Sequence, residues 1–321
     1  VWGGDRLRAW GKPVEPGAKV GESWEIADLA STDPSGAGGG AARSVVKQGP
    51  LAGSTLHEAM ALWGADLLGR AHPAEGDSFP LLIKYLDAHE NLSVQTHPSP
   101  AYAREHPEAH VKHECWTVLE ATPNAKLYKG LVRDTTAAEL AQAARDGSIV
   151  DLLKSHTATP GQCYTLPSGV VHALGAGVLV AEVQTPSDTT YRLYDWGRVG
   201  RALHIEQAVA CARLEADAEP PTRLGDADPS PLAHTEAFTL DGRIVTGPDE
   251  ISPLTSDVCV VWMLVQGRCA WLCDRWRHEA QQGDTVLVPA RCAARMRARV
   301  EQGSATILEA RPAPAGRNTT A

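Results

Sequence analysis

The sequence predicts a mainly β chain, built as two small β-barrels with a few short helices, the second barrel a degenerate copy of the first. Three observations predict this. Short β-branched runs recur along the chain (LSVQ, CWTVLE, VLVAEV, VCVVWMLV, DTVLVP and ATILEA), punctuated by Gly, Pro and Asp. Helical periodicity is sparse. One stretch also echoes another: Gly161 opens GQCYTLPSGVVH and Gly283 opens GDTVLVPARCAA, each following a strand-like stretch, ECWTVLEATPNA and VVWMLVQGRCAW. The second copy lacks His where the first has His172, so the second barrel is expected to be structural and metal-free.

The helices come first in chain order. Residues 54–70 (STLHEAMALWGADLLGR) carry apolar residues at helical spacing. Residues 135–154 hold two short helices. In the first, Thr136 and Glu139 have capping-box spacing before LAQAAR and Gly147 supplies the stop; IVDLLK follows it. Ser31 to Ala42, dominated by Gly, Ala and Ser, reads as a flexible loop between two possible strands. Residues 213–231 (RLEADAEPPTRLGDADPSP) combine acids with prolines and show no apolar period, so they read as a solvated linker. The linker separates a catalytic domain at 1–212 from a degenerate domain at 232–321.

Composition narrows the function. The 321 residues, 43% hydrophobic, suffice for a sizeable core. The longest apolar run, Val258 to Val265, is far short of the roughly 18 residues that span a bilayer. Thirty basic against thirty-nine acidic residues give a net charge of −9, the wrong sign for a general nucleic-acid or anionic-lipid surface. No nucleic-acid or membrane partner is expected, and any phosphate must meet a local basic cluster. Seven cysteines, with no CxxC and mostly apolar neighbours, read as buried, reduced thiols in a cytoplasmic protein. No charged segment followed by an apolar one opens the chain, so no signal peptide is expected. The sequence specifies no oligomeric state.

Chemistry concentrates between Ser93 and Arg198. In SVQTHP, Gln95 and His97 alternate onto one strand face while Thr96 takes the other. KHECW places Glu114 on a following strand, with Lys112 two residues earlier on the same face and His113 on the opposite one. The segment Gly161-x5-Pro167-x-Gly169-x2-His172 makes a tight turn that points His172 inward. It fits the second signature of the cupin superfamily, whose members are jelly-roll barrels. Two imidazoles, one carboxylate and one amide oxygen suit a borderline divalent cation with positions open to substrate, and Zn²⁺ is the first expectation. Neutral Gln95 leaves one anionic ligand, so the metal keeps its Lewis acidity. Lys84, in the apolar run LLIKYLDA, must be paired or face the cavity.

Longer stretches carry a closer likeness. WGG (Trp2 to Gly4), GESWEI (Gly21 to Ile26), FPLLIKYLDAHENLSVQTHP (Phe79 to Pro98), KHECW, GVVHALG (Gly169 to Gly175) and EVQTPSDTTYRLYDWGR (Glu182 to Arg198) resemble type I mannose-6-phosphate isomerase in its short bacterial form. The specific motifs cover about residues 1 to 205. The resemblance implies one Zn²⁺ on Gln95, His97, Glu114 and His172. It also implies interconversion of mannose 6-phosphate and fructose 6-phosphate through a cis-enediol. Arg192 takes the place of the catalytic arginine, and Lys112 shares the developing charge. Glu182, Glu22 and Lys84 line the pocket, and Arg198 with Ser93 are the phosphate candidates. Spacing leaves the general base open among Lys112, Glu182 and a metal-bound water. Leu174 stands where the family often has Tyr. Two other readings remain open, a metal cupin isomerase for another sugar phosphate and a sugar-phosphate-binding cupin without turnover.

Overall fold

The computed structural model describes residues 2–32 and 39–315. Part of the Ser31 to Ala42 loop therefore lies outside the described residues. The strands on its two sides, Asp28–Leu29 and Ala42–Arg43, pair antiparallel.

Two pairs of antiparallel sheets make up the chain. In the first pair, a six-stranded sheet runs in the order Glu22–Ile26, Leu82–Asp87, Val178–Gln184, Glu114–Ala121, Gln162–Leu166, Thr222–Arg223. Its partner runs Tyr191–Tyr194, Val94–Thr96, His172–Leu174, Lys126–Leu131, Leu153–Thr157. In the second pair, a five-stranded sheet (Ser230–His234, Phe238–Thr246, Ser304–Pro312, Val260–Gln266, Thr285–Val288) faces a four-stranded one (Glu250–Ile251, Arg297–Arg299, Arg268–Cys273, Trp276–Gln281). Each predicted β-branched run falls on one of these strands.

Side-chain alternation builds the layers. Trp116, Val118, Val178, Val180, Tyr164 and Leu166 face the interior of the first pair, where they meet Leu127 and Leu174 of the other sheet. The odd-numbered neighbours Ile83, Tyr85, Cys115, Leu179, Ala181 and Val183 point outward and pack on Leu240, Val261, Met263, Leu308 and Ala310 of the second pair. The two halves are thus joined through the outer faces of their larger sheets. Val260, Trp262, Leu264, Val288, Trp271 and Ala298 fill the interior of the second pair.

Helices cover the flanks. The stretch at 54–70 forms two helices, Leu56–Trp63 and Ala65–Leu68, because Gly64 takes φ 43°, ψ −113° between them. Thr55 and Glu58 make the full capping box at its start. At 135–154, Ala137–Asp146 and Ile149–Leu152 are helical and Gly147 stops the first at φ 85°. Glu139 completes no capping box there: its carboxylate binds Arg133 and the Thr135 hydroxyl instead. Three short helices, Pro100–Glu105, Ile205–Cys211 and Ala290–Ala293, are too brief to show a period in the sequence.

The acidic segment 213–231 is exposed along most of its length, as expected, but meets the first sheet pair at a few points. Thr222 and Arg223 add a strand beside Cys163 and Gln162, and Ala216 bridges Leu131. Two of its acids share one buried partner: Lys129 Nζ lies 2.9 Å from Glu219 and 3.4 Å from Asp217. Composition alone cannot reveal a carboxylate that meets a buried lysine.

All seven cysteines are free. Among the described residues, no helix is long and apolar enough to cross a membrane.

Candidate active site

Register places the site. On the smaller sheet of the first pair, Arg192, Gln95 and His172 stand directly opposite one another on three neighbouring strands. On the larger sheet, Trp24, Lys84, Glu182 and Trp116 form a second row across four strands, with Glu114 two residues before Trp116 on the same face. The turn that delivers His172 needs Gly169, which sits at φ 87° and where a Cβ would come within 2.7 Å of the Cys211 carbonyl.

His97, Glu114 and His172 converge, with their donor atoms all within 4.8 Å of one another. His172 Nε2 lies 3.0 Å from Glu114 Oε1, and His97 Nε2 lies 3.4 Å from Oε2. Backbone carbonyls fix both tautomers. His97 Nδ1 donates to Thr189 O at 3.0 Å and His172 Nδ1 to Val170 O at 2.8 Å, so both Nε2 lone pairs point into the shared space. Lys112 Nζ is 2.8 Å from Glu114 Oε2 but outside hydrogen-bonding angles. Both Glu114 oxygens and His97 Nε2 are buried without a hydrogen-bond partner among the described residues. Orphaned lone pairs facing one centre are what a divalent cation satisfies, so the residues fit a metal.

Electrostatics agree with ligand duty. Burial, foremost, with the Lys112 cation behind it, pushes His97 down to about 3 and keeps its imidazole neutral. Burial alone would raise Glu114, yet Lys112, His97 and His172 together hold it well below the carboxylate range. Gln95 adjoins the cluster: its Nε2 is 3.4 Å from His172 Nε2, and its Oε1 accepts from Ser93 Oγ at 3.2 Å. A half-turn of the amide presents Oε1 to the same centre while Ser93 accepts in turn.

The second row is a charged chain. Lys84 Nζ lies 3.3 Å from Glu22 and 3.6 Å from Glu182, and 4.4 Å over the Trp24 ring. The Trp24 indole donates to Glu22 at 2.7 Å, and that of Trp116 to Glu182 at 2.8 Å. Burial and then the Glu114 charge raise Glu182 above the usual carboxylate value, against the pull of Lys84, Lys112 and Trp116. Lys84 is raised despite burial, because Glu22 and Glu182 flank it.

The structure therefore gathers Gln95, His97, Glu114, His172, Lys112, Lys84, Glu182 and Glu22, with Arg192 in register beside Gln95. It does not join Arg198 to Ser93. Arg198 donates to Asn91 O at 2.8 Å and to Asp195 at 2.7 Å and lies 3.4 Å from Glu90, whereas Ser93 is spent on Gln95. Sequence reasoning passed over two residues. Trp116 is legible by its two-residue spacing from Glu114; Asp195, which holds Arg198 and Arg201 together, carries no such signal.

The chain is similar to known proteins over most of its length. Residues 14–114 match the family model of the type I phosphomannose isomerase catalytic domain. Mannose-6-phosphate isomerase ManA of Bacillus subtilis is 31% identical over 90% of this chain and 89% of its own. The Streptococcus mutans mannose-6-phosphate isomerase is 34% identical over 90% and 89%. The probable mannose-6-phosphate isomerase GmuF of Bacillus subtilis is 38% identical, but the match spans 64% of its length, less than two thirds. A crystal structure of the Bacillus subtilis mannose 6-phosphate isomerase superposes with a TM-score of 0.79 at 28% identity, covering 96% of this chain and 95% of that one. The chain belongs to the type I phosphomannose isomerase family.

Proposed function

We propose that this chain is a zinc-dependent aldose-ketose isomerase that interconverts D-mannose 6-phosphate and D-fructose 6-phosphate through a cis-enediol. The relatives' names supply mannose 6-phosphate, and aldose-ketose isomerisation of that sugar gives fructose 6-phosphate. The observation that carries the chemistry is the convergence of His97 Nε2, His172 Nε2 and the Glu114 carboxylate, with both Nδ1 atoms committed to carbonyls. Gln95 would be the fourth ligand, and two imidazoles, a carboxylate and an amide favour Zn²⁺. When bound, the metal supplies Lewis-acid polarisation at the O1/O2 edge of the open-chain sugar.

The remaining work falls to side chains. A proton must pass between C2 and C1, and Glu182, raised by burial, is suited both to take it and to return it. Lys112 and Arg192 are the fixed cations that share the enediolate charge. Lys84 and Glu22 hold sugar hydroxyls at the pocket wall. Arg198, with Ser93, remains the phosphate candidate once substrate competes with Asp195 and Glu90. In the same reading, each sheet pair is a cupin barrel, dividing at 213–231 into a catalytic and a metal-free domain, and the free thiols fit a cytoplasmic setting.

A coupled assay with mannose 6-phosphate on chelator-treated protein, before and after Zn²⁺ is restored, tests the reading. Activity should vanish and return; full activity without metal overturns it. His172→Ala should lose bound metal, whereas Arg192→Ala should keep it and lose turnover by about 10²- to 10³-fold. An Arg192→Ala protein as active as its parent removes Arg192 from the mechanism.

A further inference from the structure

Gln184 closes the strand Val178–Gln184 and is fully buried. It stands directly opposite Glu114 on the inner face of the first sheet pair. Both of its amide hydrogens have backbone acceptors just beyond the strand: Nε2 donates to Thr185 O at 3.0 Å and to Ser187 O. An amide that spends both N–H groups on carbonyls cannot turn over, because the turn would set its oxygen against two other oxygens. The side chain is therefore a fixed clamp on the segment 185–189.

That segment leads to the metal site from two sides. Ser187 Oγ accepts from Thr189 N at 3.2 Å, and Thr189 O accepts from His97 Nδ1 at 3.0 Å. On the other side, Thr185 N donates to His113 O at 3.0 Å, and Thr185 Oγ1 accepts from His113 N at 3.2 Å, next to Glu114. One amide thus governs the carbonyl that sets the His97 tautomer and braces the approach to Glu114.

We infer that Gln184 is a positioning residue of the metal centre, acting through the 185–189 turn to hold Thr189 O against His97 Nδ1 so that His97 presents Nε2. The inference rests on reading His97, Glu114 and His172 as metal ligands. A contact made directly on a ligating His typically changes metal affinity by about 10- to 100-fold, which bounds the effect of a residue that holds that contact in place.

Zn²⁺ affinity of the full chain, measured by competition with a chromophoric chelator, provides the test. Gln184→Met keeps the bulk and removes both donors; although it also lowers apoprotein stability, it should weaken Zn²⁺ binding by up to about 10-fold when measured at a temperature where variant and parent apoproteins are both fully folded. Ser187→Ala, which removes the bond to Thr189 N, should weaken it in the same direction by less. His97→Ala is the control for the underlying reading. If His97→Ala binds Zn²⁺ as the parent does, the ligand assignment fails. If His97→Ala loses Zn²⁺ while Gln184→Met and Ser187→Ala both bind at parental affinity, the ligand set stands and the role of Gln184 is overturned.

Discussion

The two sheet pairs are built on one register and differ in what their interiors hold. In the first, Lys84, Glu182 and Trp116 lie opposite one another on adjacent strands; in the second, Asp241, Glu309 and Trp262 do. Both tryptophans donate to the facing carboxylate, at 2.8 Å and 2.9 Å. The echo in the sequence has the same registration: Tyr164 faces Trp116 as Val286 faces Trp262, and Gly161 and Gly283 share a left-handed conformation, φ 89° and 95°. Two residues before the tryptophan, however, Glu114 gives way to Val260, and Val288, Trp271 and Met296 fill the space with apolar groups. The Trp-Glu pair therefore belongs to the frame, while metal-binding character resides in a few inward positions that the second half has filled with hydrocarbon.

Installing the missing ligand is the harshest test of that difference. Val260→Glu should destabilise the chain by about 3–5 kcal/mol, since the carboxylate enters the apolar packing of Val288, Trp271 and Met296, and the cation next in register, Arg311, is already held by Asp241 and Glu309. Chemical denaturation of the variant measures this. A cost under about 1 kcal/mol would mean that the second interior can hold charge, and the contrast would lose its physical basis.

Removing the shared element should separate frame from function. Trp116→Phe and Trp262→Phe each leave a buried carboxylate oxygen without its indole donor, at a cost of about 1–3 kcal/mol. Only the first should lower kcat, because only Glu182 adjoins the His97, Glu114 and His172 cluster. If Trp262→Phe depressed turnover as much as Trp116→Phe at matched stability, the second interior would be part of the catalytic machinery.

Period-two alternation made much of this readable in advance. It put Gln95 and His97 on one face, Lys112 and Glu114 on another, and Cys115 and His113 outside, because in a strand the face of a residue follows from parity alone. What parity cannot carry is the partner across space. Nothing near Asp217 or Glu219 announces Lys129, and nothing in EVQTPS announces that Gln184 folds its amide back on the next turn. The break at Gly64 was hidden for a different reason: the apolar spacing of 54–70 continues through it, and only the backbone angles divide the helix. That Arg198 rests on Asp195, three residues before it, while Ser93 donates to Gln95, was hidden because spacing does not say which acid a guanidinium meets.

The smallest expected effect concerns Glu309, the counterpart of Glu182 in the half where the described residues hold no His/Glu cluster. Burial raises its folded-state pKa despite the Trp262 and Leu254 N–H donors and the cations of Arg311 and Arg243. Between its unfolded value and this raised one the native chain holds more protons than the unfolded chain, so stability must fall as pH rises through that interval. The contribution is complete below the unfolded carboxylate value and gone above the folded one. Glu309→Gln keeps the shape and cannot ionise, so urea unfolding across that interval should show a shallower decline for the variant than for the parent. Glu182, raised in the same direction, titrates in both proteins and cancels in the difference. Identical slopes would mean that Arg243 and Arg311 neutralise Glu309 as fully as water does, and the second interior would then be as tolerant of a carboxylate as the first.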